Sequence, residues 1–166
     1  MPKTCTKSKT LTEITGNDTC TERWRSRNQS GTYRGHLTKG KYQGRGKFTW
    51  KDGSTYLGQW KDDRFEGRGI FKDIDGSMKS GQWKNRRLNG PGKVMYYMNN
   101  RKSNSNRRVD SGTYKNGKLN GRCVKQFRTA IYRGSCKNGK MNGRGTLRSK
   151  ATGASDKGIW KNDKLM

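Results

Sequence analysis

The chain reads as an all-β protein, an antiparallel meander of stacked hairpin repeats, and three observations predict it. Glycine returns at a nearly fixed interval along most of the 166 residues. Around each such glycine, large and small side chains alternate with period two, as one face of a sheet requires. The hydrophobic fraction of 27% is too low for a deep two-layer core. The same composition would suit a disordered chain, but five Trp, seven Tyr and four Phe are too many for a solvated tail. Thin repeating units reconcile the two.

Taken in chain order, residues 1–22 hold seven Thr together with Lys3, Lys7 and Lys9 and show no sustained periodicity, so a flexible basic arm is expected there. Residues 23–31, around Trp24, form a candidate lead-in strand. The array proper spans residues 32–166. Its anchor glycines are Gly35, Gly58, Gly81, Gly112, Gly134 and Gly158, at intervals of 23, 23, 31, 22 and 24, which marks five full repeats and a partial sixth.

Two residues after each anchor come Leu37, Trp60, Trp83, Tyr114, Cys136 and Trp160; seven after it, Tyr42, Phe65, Leu88, Leu119, Met141 and Leu165. Nine after it is always glycine in the complete units. Eleven after it stand Gly46, Gly69, Gly92, Cys123 and Gly145, so only the fourth repeat breaks that column. Each unit reads as two short strands, exemplified by Tyr56-Leu57-Gly58-Gln59-Trp60, a bend through Lys61-Asp62-Asp63-Arg64, and a return strand from Gly67 to Phe71. Asp52-Gly53 and Asp75-Gly76 supply tight-turn signals between units. The interior glycines predict close approach by neighbouring rings.

Tyr-x-Gly-x-Trp, a polar bend and then Gly-x-Gly resembles the MORN repeat (membrane occupation and recognition nexus), most closely at Tyr56 through Gly69. The resemblance covers residues 32–166 apart from one insertion and implies a single-layer, elongated, twisted sheet of stacked hairpins. Lys79, Asp110 and Asp156 depart from the leading Tyr, and Cys136 from the Trp. The insertion, at about residues 98–109, includes Arg101, Lys102, Arg107 and Arg108 among polar residues and is expected to project as a basic loop.

Charge is the strongest functional signal. Lys and Arg number 39 against 12 Asp and Glu, a formal charge of +27, which implies an anionic partner. Residues 54–76 hold four basic and five acidic groups, whereas residues 77–153 hold 20 basic groups and one acid, Asp110. Arg45, Arg68, Arg122 and Arg144 share one repeat position and should align as a ladder. With Arg101, Lys102, Arg107 and Arg108 they form the candidate contact surface for an anionic partner. The acidic turn Asp62, Asp63, Glu66 reads as turn decoration.

Chemistry has little to work with. Gly35-x4-Gly40-Lys41, Gly112-x4-Gly117-Lys118 and Gly134-x4-Gly139-Lys140 echo a phosphate-binding loop, but lack its Ser or Thr and recur as by-products of the repeat. His36 is the single histidine and has no dyad partner. No catalytic, metal or cofactor site is expected. Cys5, Cys20, Cys123 and Cys136 form no CxxC pair and are read as free thiols; a Cys123–Cys136 bond would need a one-residue slip from the register that a turn-based alignment gives.

No apolar leader or span is expected, which places the chain inside the cell, in a large assembly, at a membrane face or packaged in a virion. The resemblance implies a non-enzymatic scaffold or docking module among other proteins with acidic surfaces, in cytoskeletal, membrane-associated or large-DNA-virus capsid assemblies. Anionic phospholipid headgroups and the nucleic-acid backbone are the alternative partners. The strand ending at Met166 is expected to be paired by a partner or a second copy.

Overall fold

The computed structural model describes residues 3–5, 16–22, 31–97 and 107–166, the first two segments by their backbone alone. All regular structure among them is strand. The chain forms two compact units, Met1–Ile74 with Trp83–Arg86, and Asp75–Gln82 with Arg87–Met166.

In the first unit, β1 (Lys3–Cys5), β2 (Gly16–Glu22), β3 (Gly31–Thr38), β4 (Lys41–Trp50), β5 (Thr55–Lys61) and β6 (Arg64–Lys72) pair antiparallel in chain order. Strand β7 (Met78–Lys84) passes from one unit to the other. In the second unit, β8 (Arg87–Tyr97), β9 (Arg107–Lys115), β10 (Lys118–Gln126), β11 (Ala130–Lys137), β12 (Lys140–Ser149), β13 (Ser155–Lys161) and β14 (Lys164–Leu165) do the same. The antiparallel meander of hairpins is thus what the chain forms.

Three expectations change. Part of the segment read as a flexible arm is strand, because β3 offers an open ladder to which Gly16–Glu22 adds in register from Gly16↔Leu37 to Glu22↔Gly31, and its threonines favour extended backbone. The candidate lead-in strand at 23–31 lies, apart from Gly31, outside the described residues. The tight turns are not at Asp52-Gly53: two-residue turns with both central residues at positive φ fall instead inside each repeat, at Lys39-Gly40, Asp62-Asp63, Asn85-Arg86, Asn116-Gly117, Asn138-Gly139 and Asn162-Asp163. Between repeats, the Asp52 carboxylate accepts from the Ser54 amide at 2.8 Å and closes a longer loop.

One face of each unit is packed by the repeat-defining rings. Tyr56 stacks on Phe65 with centroids 3.8 Å apart and meets the edges of Trp60 and Trp83 at 5.1 and 5.6 Å. Tyr33 repeats this on Tyr42, at 3.7 Å, with Trp60 at 5.4 Å. Each tyrosine hydroxyl donates to the carbonyl three residues on: Tyr33 to His36 at 3.0 Å, Tyr56 to Gln59 at 3.1 Å, Tyr132 to Ser135 at 2.9 Å. Each indole N–H donates to the glycine eleven residues past the preceding anchor: Trp60 to Gly46 at 3.0 Å, Trp83 to Gly69 at 2.9 Å, Trp160 to Gly145 at 3.1 Å. That column is glycine because of the tyrosine: a Cβ on Gly69 would lie 2.3 Å from Tyr56 Oη, and on Gly145 2.2 Å from Tyr132 Oη.

The fourth repeat replaces this arrangement as a set, and here the free-thiol reading is overturned for two cysteines. Cys123 and Cys136 are joined in a disulfide, with Cα atoms 5.9 Å apart. The register is Cys123↔Gly134 and Gly121↔Cys136, which puts both sulfurs on the packed face. The glycine columns keep the pairing of Gly46↔Gly58, and the shorter connection is absorbed in the turn; aligning on the turn misplaces the register by one residue. The departures explain one another. Asp110 stands where the leading tyrosine would, so no tyrosine ring covers position 123 and a side chain fits there. Cys136 stands where the next indole would, and the covalent bond replaces the indole-on-glycine contact. The side chains of Cys5 and Cys20 lie outside the described residues; their backbones are register partners.

Two charges enter this packed face. Lys125 occupies a position held by Phe48, Phe71, Val94 and Leu147 in the other repeats, is 2% exposed and sits opposite Asp110 in the ladder. Its ammonium donates to the Gly139 carbonyl and lies 3.7 Å from an Asp163 carboxylate oxygen. Burial pulls its pKa below the ordinary lysine value, with Asp110 opposing. Asp110 is gripped by both ends of the Arg108 guanidinium, at 2.9 and 2.7 Å, and this bond raises the arginine further.

Candidate anion-binding face

Alternation along each strand sends the residues flanking the anchor glycines to the side opposite the rings. In the first unit this outer face carries Arg45, opposite Gln59, and Lys47, opposite Leu57. Leu57 pairs in turn with Ile70, and both are well exposed, at 55% and 46%. Gln59 is folded down onto the backbone, its Oε1 accepting from the Arg68 amide at 2.8 Å. Arg45 and Arg68 are exposed.

In the second unit Arg122 pairs with Ser135, and Val124 with both Ser111 and Arg133. Arg144 follows on the next strand, opposite Ile159. Arg122, Arg133 and Arg144 therefore project from three consecutive strands, β10, β11 and β12, around the small side chain of Ser135. They line an open concavity of about 560 Å³ whose floor includes Ser111, Gly112 and Gly134. No carboxylate pairs with any of the three among the described residues.

Of the other candidate contacts, Arg107 is exposed and lies 3.8 Å from the Met95 sulfur. Arg108 is turned inward onto Asp110 and lies over the rings of Phe127 and Tyr96, 5.1 and 5.7 Å from their centroids. Its role is internal, where a projecting loop cation had been expected. Arg101 and Lys102 fall outside the described residues. The acidic turn is used within its own unit: Asp63 Oδ1 accepts from the Tyr42 amide at 2.8 Å, Asp62 from Gln43 Nε2 at 2.9 Å, and Glu66 from the Asn85 amide at 3.3 Å. Asp163 repeats the first of these on Met141 at 2.8 Å.

Residues that echo a phosphate-binding loop find no such geometry, since Gly40, Gly117 and Gly139 each close a strand-to-strand turn. Among the described residues no group of three or more His, Cys, Asp or Glu is placed to hold a metal ion. His36 is an exposed strand residue whose Nε2 lies 3.4 Å from the Thr38 hydroxyl.

Arg133 is the residue that sequence reasoning missed. Its position, one before the anchor, holds Arg34, Leu57, Ser80, Ser111, Arg133 and Lys157 in successive repeats, so no column of like residues drew notice. Assigning faces by period two would have found it beside Arg122 and Arg144.

A family model described as MORN repeat matches five consecutive segments, residues 33–55, 56–78, 80–101, 111–129 and 132–150. No curated protein matches the chain.

Proposed function

Since the chain belongs to the MORN repeat family, we propose that it is a non-enzymatic docking module that lays the arginine-bearing face of its sheet against an acidic partner in a larger assembly. MORN repeats are generally associated with protein–protein or membrane interactions, and the family is typically non-enzymatic. The observation that carries the reading is the division of labour between faces. The aromatic face is consumed by packing, whereas Arg45, Arg68, Arg122 and Arg144 stand exposed. A formal charge of +27 opposes compaction unless counter-charge arrives from outside.

The test is recovery of the native assembly by cross-linking, with the wild-type chain and with Arg122→Glu/Arg144→Glu. Loss of the same neighbours in the variant, with the fold intact, supports docking through this face. Unchanged neighbours sink it. Flotation with anionic liposomes and retention on DNA at graded salt check the alternatives: selective binding to either, beyond charge-matched controls, would replace the protein partner with a lipid headgroup or a nucleic-acid backbone. The Cys123–Cys136 bond adds a condition, because disulfides persist in oxidising settings and rarely in the cytosol; the assembly we propose matures away from cytosolic reductants.

A further inference from the structure

Three guanidinium groups and one small hydroxyl in a depression ask for a particular kind of anion. We propose that the concavity bounded by Arg122, Arg133, Arg144 and Ser135 is a receptor for a phosphorylated side chain of a protein partner. This rests on the docking reading and narrows its chemistry.

Stoichiometry comes first. Arg122 and Arg144 flank β11 from the strands on either side, so their Cα atoms stand about two strand spacings, roughly 9.6 Å, apart, and Arg133 leaves β11 itself two residues before Ser135. A carboxylate can answer one guanidinium with its two oxygens. A phosphodiester carries a single charge shared by two free oxygens. A phosphate monoester carries about −1.5 to −2 charges and three terminal oxygens, enough to engage all three arginines together. Among the described residues no carboxylate pairs with them.

Shape comes second. The volume of about 560 Å³ falls in the range of sites that take a small molecule, room for a phosphorylated side chain with part of its neighbours. It exists because Ser135 stands where repeat two has Gln59, a residue that there covers its own backbone. Arg133 stands where repeat two has Leu57. A phosphate that stands out from a partner's backbone on a side chain enters such a depression, and Val124 in its lining with Ile159, 51% exposed and opposite Arg144, offers apolar contact to the residues beside it. These features favour a phosphopeptide over the diesters of a bilayer surface or a nucleic acid.

The test uses the full chain at physiological salt and three pools of otherwise randomised peptides, about a dozen residues long, with central phosphoserine, glutamate or serine. The phosphoserine pool should bind at least about tenfold tighter than the glutamate pool, the gain expected of additional charge-assisted bonds to arginine. Arg133→Leu and Ser135→Gln, which import the residues of repeat two, should bring that ratio close to one. Arg128→Ala, which removes an exposed charge elsewhere, should leave it unchanged. Melting curves and thiol titration establish that each variant keeps its fold and its disulfide. Equal binding of the phosphoserine and glutamate pools overturns the proposal while leaving docking standing if Arg122→Glu/Arg144→Glu abolishes both. A preference that survives Arg133→Leu and Ser135→Gln overturns it as well. So does tighter binding, through the same arginines, to vesicles carrying a phosphoinositide monoester than to the phosphoserine pool.

Discussion

Repeat two and repeat four run the same backbone ladder over different interiors. Around Tyr56 the sheet is held by a ring cluster, with Phe65 stacked beneath and Trp60 and Trp83 edge-on, and Gly69 leaves room for the Tyr56 ring. Around Asp110 the leading tyrosine and the following indole are both replaced. A disulfide spans the place of the indole, an arginine–aspartate pair fills the place of the tyrosine, and a buried lysine takes the place of a phenylalanine. The backbone pairing of the glycine columns is common to both. Register in these hairpins is therefore fixed by the close approach of the strands and by the two-residue turns, and the packed face can be refilled with different chemistry provided its positions change together.

The largest expected effect lies in repeat two. Trp60→Ala removes a 5%-exposed indole and its bond to Gly46, and should cost about 3–5 kcal/mol in chemical unfolding. A loss below about 1 kcal/mol would break the view that rings hold this region. Next is the covalent staple. In a Cys5→Ser/Cys20→Ser background, reduction should lower stability by about 2–4 kcal/mol, followed through unit-two signals such as Trp160 fluorescence. No response to reductant would mean that the bond adds nothing to the fold.

Interdependence can be tested more finely. Asp110→Tyr alone drives a ring into Cys123 and should cost about 1–3 kcal/mol by overpacking. Asp110→Tyr with Cys123→Gly and Cys136→Trp restores the pattern of repeat two, and should recover most of that loss and become insensitive to reductant. Strict additivity of the three changes would sever the link between them. The smallest effect is in pH. Lys125 has its folded pKa below the unfolded value, so between the two the unfolded chain binds more protons and stability rises with pH. The wild type should gain on Lys125→Met as pH climbs towards the ordinary lysine value of about 10; a parallel pH course for the two proteins would remove titration of this lysine from the account.

Much of the fold was legible because its constraints are periodic. Anchors, aromatic columns and alternation each repeat six or nearly six times, so chance similarity averages out. The turn types were not. Asp62-Asp63 and Asn85-Arg86 adopt positive φ without glycine, whereas Asp52-Gly53, the stronger local signal, serves a longer loop closed by Asp52. The disulfide hid behind its one-residue deletion, since nothing in the sequence says whether a turn or a ladder absorbs a missing residue. For the candidate site, the shared repeat position of Arg45, Arg68, Arg122 and Arg144 could be read from one column, but Arg133 enters from a column without a consensus. Arg108 looked like a free loop cation because its partner Asp110 is isolated in a basic stretch, and only the folded strand brings Phe127 and Tyr96 against it.

The alternation of turns has a consequence for how such a chain can change over time. Within the units, the two-residue turns close one end of the hairpins, at Lys39-Gly40, Asp62-Asp63, Asn116-Gly117 and Asn138-Gly139, and the last three dock on the repeat before them: Asp63 N–H meets Tyr42 O at 3.3 Å, Gly117 N–H meets Leu88 O at 2.8 Å and Gly139 N–H meets Leu119 O at 2.9 Å. A residue added there would undo two repeats at once. Residues 51–54, a connection between repeats, show no such bond to a neighbouring connection, and the long insertion falls in another of these connections. Lengthening, shortening and new specificity can accumulate at that end while the other stays fixed, which makes it the natural place to graft a foreign loop.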